Sequence, residues 1–180
     1  MSADAAPVLI GDLGGTRARL ALARPGMEIS EVRVLATADF PDPATAIAHY
    51  LADIPGPRPR QARLAIATPV LGDRLRMTNA GWDFSAEDTR RRLTLDHLQF
   101  INDFAAQALA LPHLGPGVYL CGGLLPRLGE RFDVDSFRGR FEAKGRFGEY
   151  LRGVATFLVL HEQPGLLGLS RDPGTYTADP

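Results

Sequence analysis

Residues 8–22 constrain this chain more than any other stretch. The apolar run Val8-Leu9-Ile10 meets a Gly-rich turn, Gly11-Asp12-Leu13-Gly14-Gly15-Thr16, and the chain resumes in alternation as Arg17-Ala18-Arg19-Leu20-Ala21-Leu22. That order predicts a β-hairpin. Asp12 then sits at the end of an apolar strand, at a mouth. Gly14 and Gly15 can take positive φ and let a phosphate approach the backbone. A nest of backbone N–H groups, with the Thr16 hydroxyl, suits phosphoryl oxygens. Asp12 beside them suits Mg²⁺, held directly or through water. A plain hairpin turn is an equal reading of the same residues, since Gly-Gly is a common turn dipeptide.

Downstream, the pattern becomes a strand–helix alternation, so the fold class is α/β. Residues 28–37 read as a third strand. Ala44, Ile47, Ala48 and Leu51 fall at helical spacing within residues 43–54, and the Pro-rich run Pro55-Gly56-Pro57-Arg58-Pro59 ends that helix. Residues 63–67, 74–78 and 97–101 read as strands. Ser85-Ala86-Glu87-Asp88 opens a helix with a capping pattern. Residues 103–111 read as a helix ended by Pro112. Residues 118–121 and 155–160 read as buried strands, 134–141 as a helix, 146–151 as a helical turn, and 170–180 as a loose tail.

Asn102-Asp103 is the second chemical signal. A strand delivers Asp103 to a helix start, where a carboxylate is favoured by capping and by the helix dipole. The other reading is a general base for a substrate hydroxyl, with Asn102 donating to and accepting from sugar hydroxyls. Asn79, before Ala80-Gly81-Trp82, reads either as a turn Asn or as a sugar ligand. Gly122-Gly123 follows a strand and reads either as a strand-to-helix turn or as a place where adenine or ribose lies against backbone.

Composition excludes other classes. A formal net charge of -1 argues against nucleic acid or an anionic membrane as partner. No apolar stretch approaches the ~18 residues of a membrane span. Residues 1–7 lack the basic and apolar regions of a signal peptide. The single cysteine, Cys121, has no internal partner and lies in an apolar run, which reads as core in a reducing compartment. These points predict a cytoplasmic protein. His49, His97, His113 and His161 show no metal spacing, there is no Walker P-loop, and Arg90-Arg91-Arg92 reads as a solvated helix face.

The ordered set of motifs resembles the bacterial glucokinases, of the sugar-kinase and actin-like ATPase superfamily. The residues that carry the resemblance are Gly11 to Ala21, then Met77-Thr78-Asn79 with Trp82-Asp83-Phe84-Ser85, then Ile101-Asn102-Asp103-Phe104. It continues in Tyr119-Leu120-Cys121-Gly122-Gly123-Leu124-Leu125-Pro126-Arg127, Phe141-Glu142-Ala143-Lys144-Gly145-Arg146-Phe147 and His161-Glu162-Gln163-Pro164-Gly165-Leu166-Leu167-Gly168. The resemblance implies an actin-like ATPase (ribonuclease-H-like) fold of two α/β domains around a cleft. It implies phosphoryl transfer from MgATP to the 6-hydroxyl of glucose, with ATP and Mg²⁺ as cofactors. Asp103 would be the base, Asn102 and Asn79 sugar ligands, and Asp12, Gly14, Gly15 and Thr16 the metal and phosphate site. Gly122 and Gly123 would border the adenosine.

The chain also departs from that family. Only Gly115-Pro116-Gly117 separates Leu114 from Val118, where a glucokinase has a long segment. That segment carries a second Gly-rich phosphate loop of the Gly-Thr-Gly type, a Glu-Gly-Gly-His sugar motif and a further sugar-binding glutamate, and none of these occurs here. The expected organisation is a small domain over residues 1–114, a remnant of the large domain over 115–163, and a segment over 164–180 that packs back on the small domain before a loose tail. The shortened loop exposes former inter-segment surface, which predicts self-association or a homodimer. Beside an active kinase stand a non-catalytic nucleotide- or sugar-binding remnant or regulator, and a vestigial deletion product.

Overall fold

A computed structural model describes residues 6–24, 28–77, 79–109, 117–121, 127–161 and 163–171. The chain divides into two compact units, one of Met1–Leu111 with Gly165–Pro180 and one of Pro112–Pro164.

The first unit is built on a five-stranded mixed sheet. Its strands are β1 (Val8–Leu13), β2 (Arg17–Arg24), β3 (Glu28–Ala36), β4 (Gln61–Ile66) and β7 (His97–Asn102), in the order β3-β2-β1-β4-β7. The first three form an antiparallel meander, as the hairpin pattern predicts. β4 and β7 then add in parallel on the other side of β1. Each parallel step needs a crossover. The first contains α1 (Pro43–Ala52); the second contains a small hairpin, β5 (Arg74–Arg76) with β6 (Asp83–Ser85), and α2 (Ala86–Arg92). The sequence pattern did not reveal β6, which has three residues and runs directly into the cap of α2.

Local chemistry sets the helix ends. Asp42 caps α1 by accepting from the Thr45 N–H at 2.8 Å, with Pro43 as the first helical residue. Ser85 caps α2 by accepting from the Asp88 N–H at 3.0 Å. Arg90, Arg91 and Arg92 lie on the solvent side and are held by Glu87, Asp88 and Asp42.

Strand alternation splits the core between two faces. Leu9, Leu13, Leu20, Leu22, Leu64 and Ile66 bury one face against Ile47, Tyr50 and Leu51 of α1 and against Leu75, Trp82 and Phe84 of the small hairpin. Each of the larger side chains contributes about 1.5–3 kcal/mol by burial. Trp82 is placed further by its indole N–H, which donates to the Phe40 carbonyl at 2.9 Å. The other face, Ile10, Ala21, Ala65 and Ile101, is covered by Ala106 of α3 (Asp103–Ala108) and by Leu166 and Leu169 of α6 (Pro164–Arg171). Ser170 and Arg171 therefore belong to a helix rather than to a loose tail, because Leu166 and Leu169 anchor its buried side; residues 172–180 lie outside the described residues.

The second unit contains β8 (Val118–Leu120) paired in parallel with β9 (Thr156–Leu158), and the helices α4 (Val134–Glu142) and α5 (Gly148–Arg152). The two strands are not buried as their apolar sequences suggest: Phe157 and Leu158 stay 43% and 36% exposed. Parallel sheets are normally covered on both faces, yet both residues keep more than a third of their surface open. Cys121 is half-buried and its thiol pKa is raised by burial. No helix among the described residues is long and apolar enough to cross a membrane.

One side-chain bond ties α1 to the sheet edge. The β2–β3 register shifts between Leu20 and Leu22, and Glu31 at the resulting bulge takes φ 54°. The Tyr50 hydroxyl donates to the Glu31 carbonyl at 2.9 Å. Burial, helped by the Glu31 charge, raises the Tyr50 pKa to about 12. The neutral phenol is thus favoured in the folded state, and its contribution is complete below the unfolded value near 10 and lost as pH rises toward 12. Tyr50→Phe is expected to cost ~1 kcal/mol at pH 7. The variant should also lose less stability than the parent between pH 10 and 12, as read from urea melts at the two ends of that window.

Candidate functional site

The parallel register brings three strand ends into one row: Leu13 lies beside Ile66, and Ile66 beside Asn102. Ligand sites of open α/β sheets form outside such carboxyl ends. Asp12 and Asp103 flank this row. Asp12 follows Ile10 by two residues along β1 and so shares its face, the one under α3 and α6; Asp103 is the first residue of α3, directly after β7. The β1 and β7 strands stand about 10 Å apart with β4 between them. The two carboxylates are close enough for the Asp103 charge to act on Asp12.

Asp12 is partly buried at this end of the sheet. Burial of its carboxyl raises its pKa above the ordinary Asp value; the Arg19 guanidinium opposes this and the Asp103 carboxylate adds to the rise. Arg19 stands directly across β2 from Asp12, with Nη1 at 3.5 Å from Oδ2. On the other side lies the first turn of α6, where a Cβ on Gly165 would sit 4.0 Å from the Asp12 carboxyl.

The Gly14-Gly15 turn connects these strands. Neither glycine has positive φ, contrary to the expectation from sequence. Gly15 is required for a different reason: a Cβ there would lie 2.5 Å from the Asn79 Cβ. The turn is fixed by the Gly14 N–H donating to the Arg17 carbonyl at 3.0 Å, by the Thr37 N–H donating to the Thr16 carbonyl at 3.0 Å, and by the Thr37 hydroxyl donating to the Gly14 carbonyl at 3.1 Å. The Thr16 side chain is exposed. Asn79 occupies the turn between β5 and β6, where the Gly81 N–H donates to the Met77 carbonyl at 3.1 Å. Asn79 and the glycine turn thus meet although 64 residues apart in sequence.

At the β7 end, Asn102 caps α3: its side-chain oxygen accepts from the Phe104 N–H at 3.0 Å, and Asp103 Oδ1 accepts from the same N–H at 3.0 Å. Among the described residues, no hydrogen bond engages the Asn102 amide NH₂ or the second Asp103 oxygen. Phe104 itself is 76% exposed. Gly122 and Gly123 lie outside the described residues.

No group of three or more His, Cys, Asp or Glu among the described residues forms a metal cage. Asp12 with one neighbouring carboxylate suits Mg²⁺ nonetheless, since Mg²⁺ keeps several waters and takes one or two carboxylates plus substrate phosphates. Two surface grooves lie elsewhere, at the amino ends of β4 and β7. The arginines of the larger, Arg58, Arg60 and Arg92, are held by the Leu51 carbonyl, Asp96 and Asp42.

Three neighbours of the site escaped the sequence reading. Arg19 was legible, because a hairpin turning at residues 14–17 sets it opposite Asp12. Thr37 and Gly165 were not, because each arrives from a separate element.

The sheet order and its two covered faces are those of the actin-like ATPase fold of the sugar kinases. The glucokinase family profile matches residues 9–116 and 115–172, and the chain belongs to that family. It is 49% identical over 108 residues to the bifunctional protein glk of Burkholderia thailandensis, covering 60% of this chain and 17% of that protein. With the bifunctional protein glk of Paraburkholderia xenovorans it is 28% identical over 307 aligned positions, covering 91% of this chain and 48% of that protein. The chain thus spans about half or less of the length of these relatives. The crystal structure of a glucokinase from an Antarctic psychrotroph superposes with a TM-score of 0.77 at 19% identity, covering 93% of this chain and 98% of that one. At that identity the likeness concerns the fold.

Two expectations follow from this geometry. The raised Asp12 pKa means that the ionised carboxylate opposes folding, a cost absent at low pH and growing as pH rises through the ordinary Asp range and above. Asp12→Asn should therefore melt at a higher temperature than the parent at pH 7, with the difference closing toward pH 3. Gly15→Ala should destabilise by ~1–3 kcal/mol through overpacking. In an Asn79→Gly background the same change should cost much less, a coupling that a double-mutant cycle measures.

Proposed function

We propose that this chain is built for phosphoryl transfer from MgATP to the 6-hydroxyl of glucose, and that it performs this reaction far more slowly than a relative carrying the whole family pattern. The observation that carries the reading is the pair of carboxylates Asp12, near the end of β1, and Asp103, the first residue of α3 directly after β7, close enough for the Asp103 charge to act on Asp12. In-line transfer needs charge neutralisation at one end and a base at the other, held at a fixed separation. Asp103 is the base that takes the hydroxyl proton. Asn102 and Asn79 bind sugar hydroxyls. Asp12 holds Mg²⁺, which when bound neutralises charge on the phosphates. Gly14, Gly15 and Thr16 cradle phosphate, and Gly122 and Gly123 border the adenosine. A cytoplasmic location and a place at the entry of glucose into glycolysis go with this reading.

Two observations support a lost central segment. The family profile matches in two blocks that meet at residues 115–116. The longer alignment occupies 307 positions although the chain has 180 residues. The second phosphate loop and the Glu-Gly-Gly-His motif would fall in that gap. Each lost contact weakens transition-state binding by ~1–3 kcal/mol, so several together lower the rate by on the order of a thousandfold or more. The same observations favour a second reading, in which the chain binds nucleotide or sugar without turnover. Exposed apolar side chains of the second unit, such as Tyr150 and Leu160 at 72% and 73%, support self-association.

The test is glucose-dependent ADP release from MgATP by the purified chain, alongside Asp103→Asn. Slow release that requires both glucose and Asp103 is the expected result. A folded chain that binds MgADP but shows no glucose-dependent release would establish the second reading instead.

A further inference from the structure

Register brings Arg19 to Asp12: the two residues are directly opposed on β1 and β2 and so project from the same face of the sheet. The contact is loose. One Nη1 lies 3.5 Å from Oδ2, and the two side chains keep 35% and 31% of their surface exposed. It lacks the two parallel bonds that make an Arg–carboxylate pair strong, and a half-exposed pair of this kind adds little to folding. A second carboxylate, Asp103, also acts on Asp12. One guanidinium therefore stands among negative charges at the point where the glycine turn leaves β1.

Such a pair is easily exchanged. A divalent cation competes with the guanidinium for the same oxygen. The phosphates that carry the cation offer the guanidinium a better partner, because its planar fork matches phosphate oxygens. The turn at residues 14–16 joins the strands that bear Asp12 and Arg19, so a phosphate seated on that turn arrives beside both.

We infer that Arg19 is a positioning residue that changes partners: it holds the Asp12 carboxylate in the unliganded protein, then yields it to the cation of an arriving magnesium nucleotide and turns to the nucleotide's phosphate oxygens. The inference rests on Asp12 being the metal- and phosphate-side carboxylate. It predicts opposite effects on two ligands when Arg19 is neutralised. Removing a competing positive charge strengthens binding of a bare cation, whereas removing a phosphate donor weakens binding of the nucleotide complex.

Mn²⁺ alone, followed by electron paramagnetic resonance, and MgADP, followed by calorimetry, separate the two effects on the full chain. Arg19→Gln should bind Mn²⁺ about fivefold more tightly than the parent and MgADP about tenfold more weakly. Arg19→Lys, which keeps the charge and loses the fork, should stay near the parent for Mn²⁺ and fall between parent and Arg19→Gln for MgADP. Structural damage would weaken both ligands together. If Arg19→Gln shifts both affinities the same way, or neither, while Asp12→Asn still abolishes Mn²⁺ binding, the role of Arg19 is overturned and that of Asp12 stands. If Asp12→Asn leaves Mn²⁺ binding unchanged, the reading of Asp12 fails and the exchange fails with it.

Discussion

Leu13, Ile66 and Asn102 lie side by side at the ends of three parallel strands, and the first unit depends on that register. Side chains alternate along each strand, so a slip of one residue would exchange the two faces of the sheet. Asp12 would then enter the leucine-rich core beneath α1, and Leu13 would take its place at the strand end. Burial of the leucines therefore aims the Asp12 carboxylate. Large side chains on one face, Leu9, Leu13, Leu20, Leu22, Leu64 and Ile66, set a register that Asp12 on the other face could not set for itself.

The two faces serve different ends. The α1 face is filled with large apolar groups and clamped by Trp82 and Tyr50. The other face is lined mainly by Ile10, Ala21, Ala65 and Ile101, and small side chains let α3 and α6 approach closely. That approach brings α6 against Asp12 and partly removes the carboxyl from water. An ionised group placed at a cost, offset by a single loose guanidinium, fits a site that completes its electrostatics with a ligand. Placement of a sequence-distant segment over the strand end is thus part of the site's chemistry as well as its packing.

Legibility of the sequence followed the range of the interactions. The opening hairpin, α1, and the Ser85 cap of α2 are specified within a few residues, by alternation, 3.6-residue spacing and a capping side chain, and they could be read directly. Asp12 and Asp103 were legible as candidates because each sits where an apolar strand ends. The use of Gly15 was not: the sequence offers a flexible turn, but the structure uses the missing Cβ to admit Asn79 from the β5–β6 turn. Thr37 and Gly165 belong to the same class, since their partners are fixed by how separate elements pack.

The second unit shows the converse, local order with little burial behind it. None of the α4 residues is buried, yet the helix is specified at both ends. Asp133 accepts from the Ser136 N–H at 3.0 Å, and Arg138 pairs with Glu142 one turn on at 2.6 Å while also donating to the Val154 carbonyl at 2.9 Å. β8 and β9 are joined by backbone bonds and by Tyr119 stacked on Phe157 at 4.9 Å. Caps, i,i+4 pairs and a single stacked ring contribute fractions of a kcal/mol to about one each. Contributions of that size specify an element's form but not a core, and a two-stranded ribbon needs a further layer for independent stability. The apolar sequences of residues 118–121 and 155–160 are those of strands inside a larger sheet. In this chain Phe157, Leu158 and Leu160 of the latter stretch are exposed.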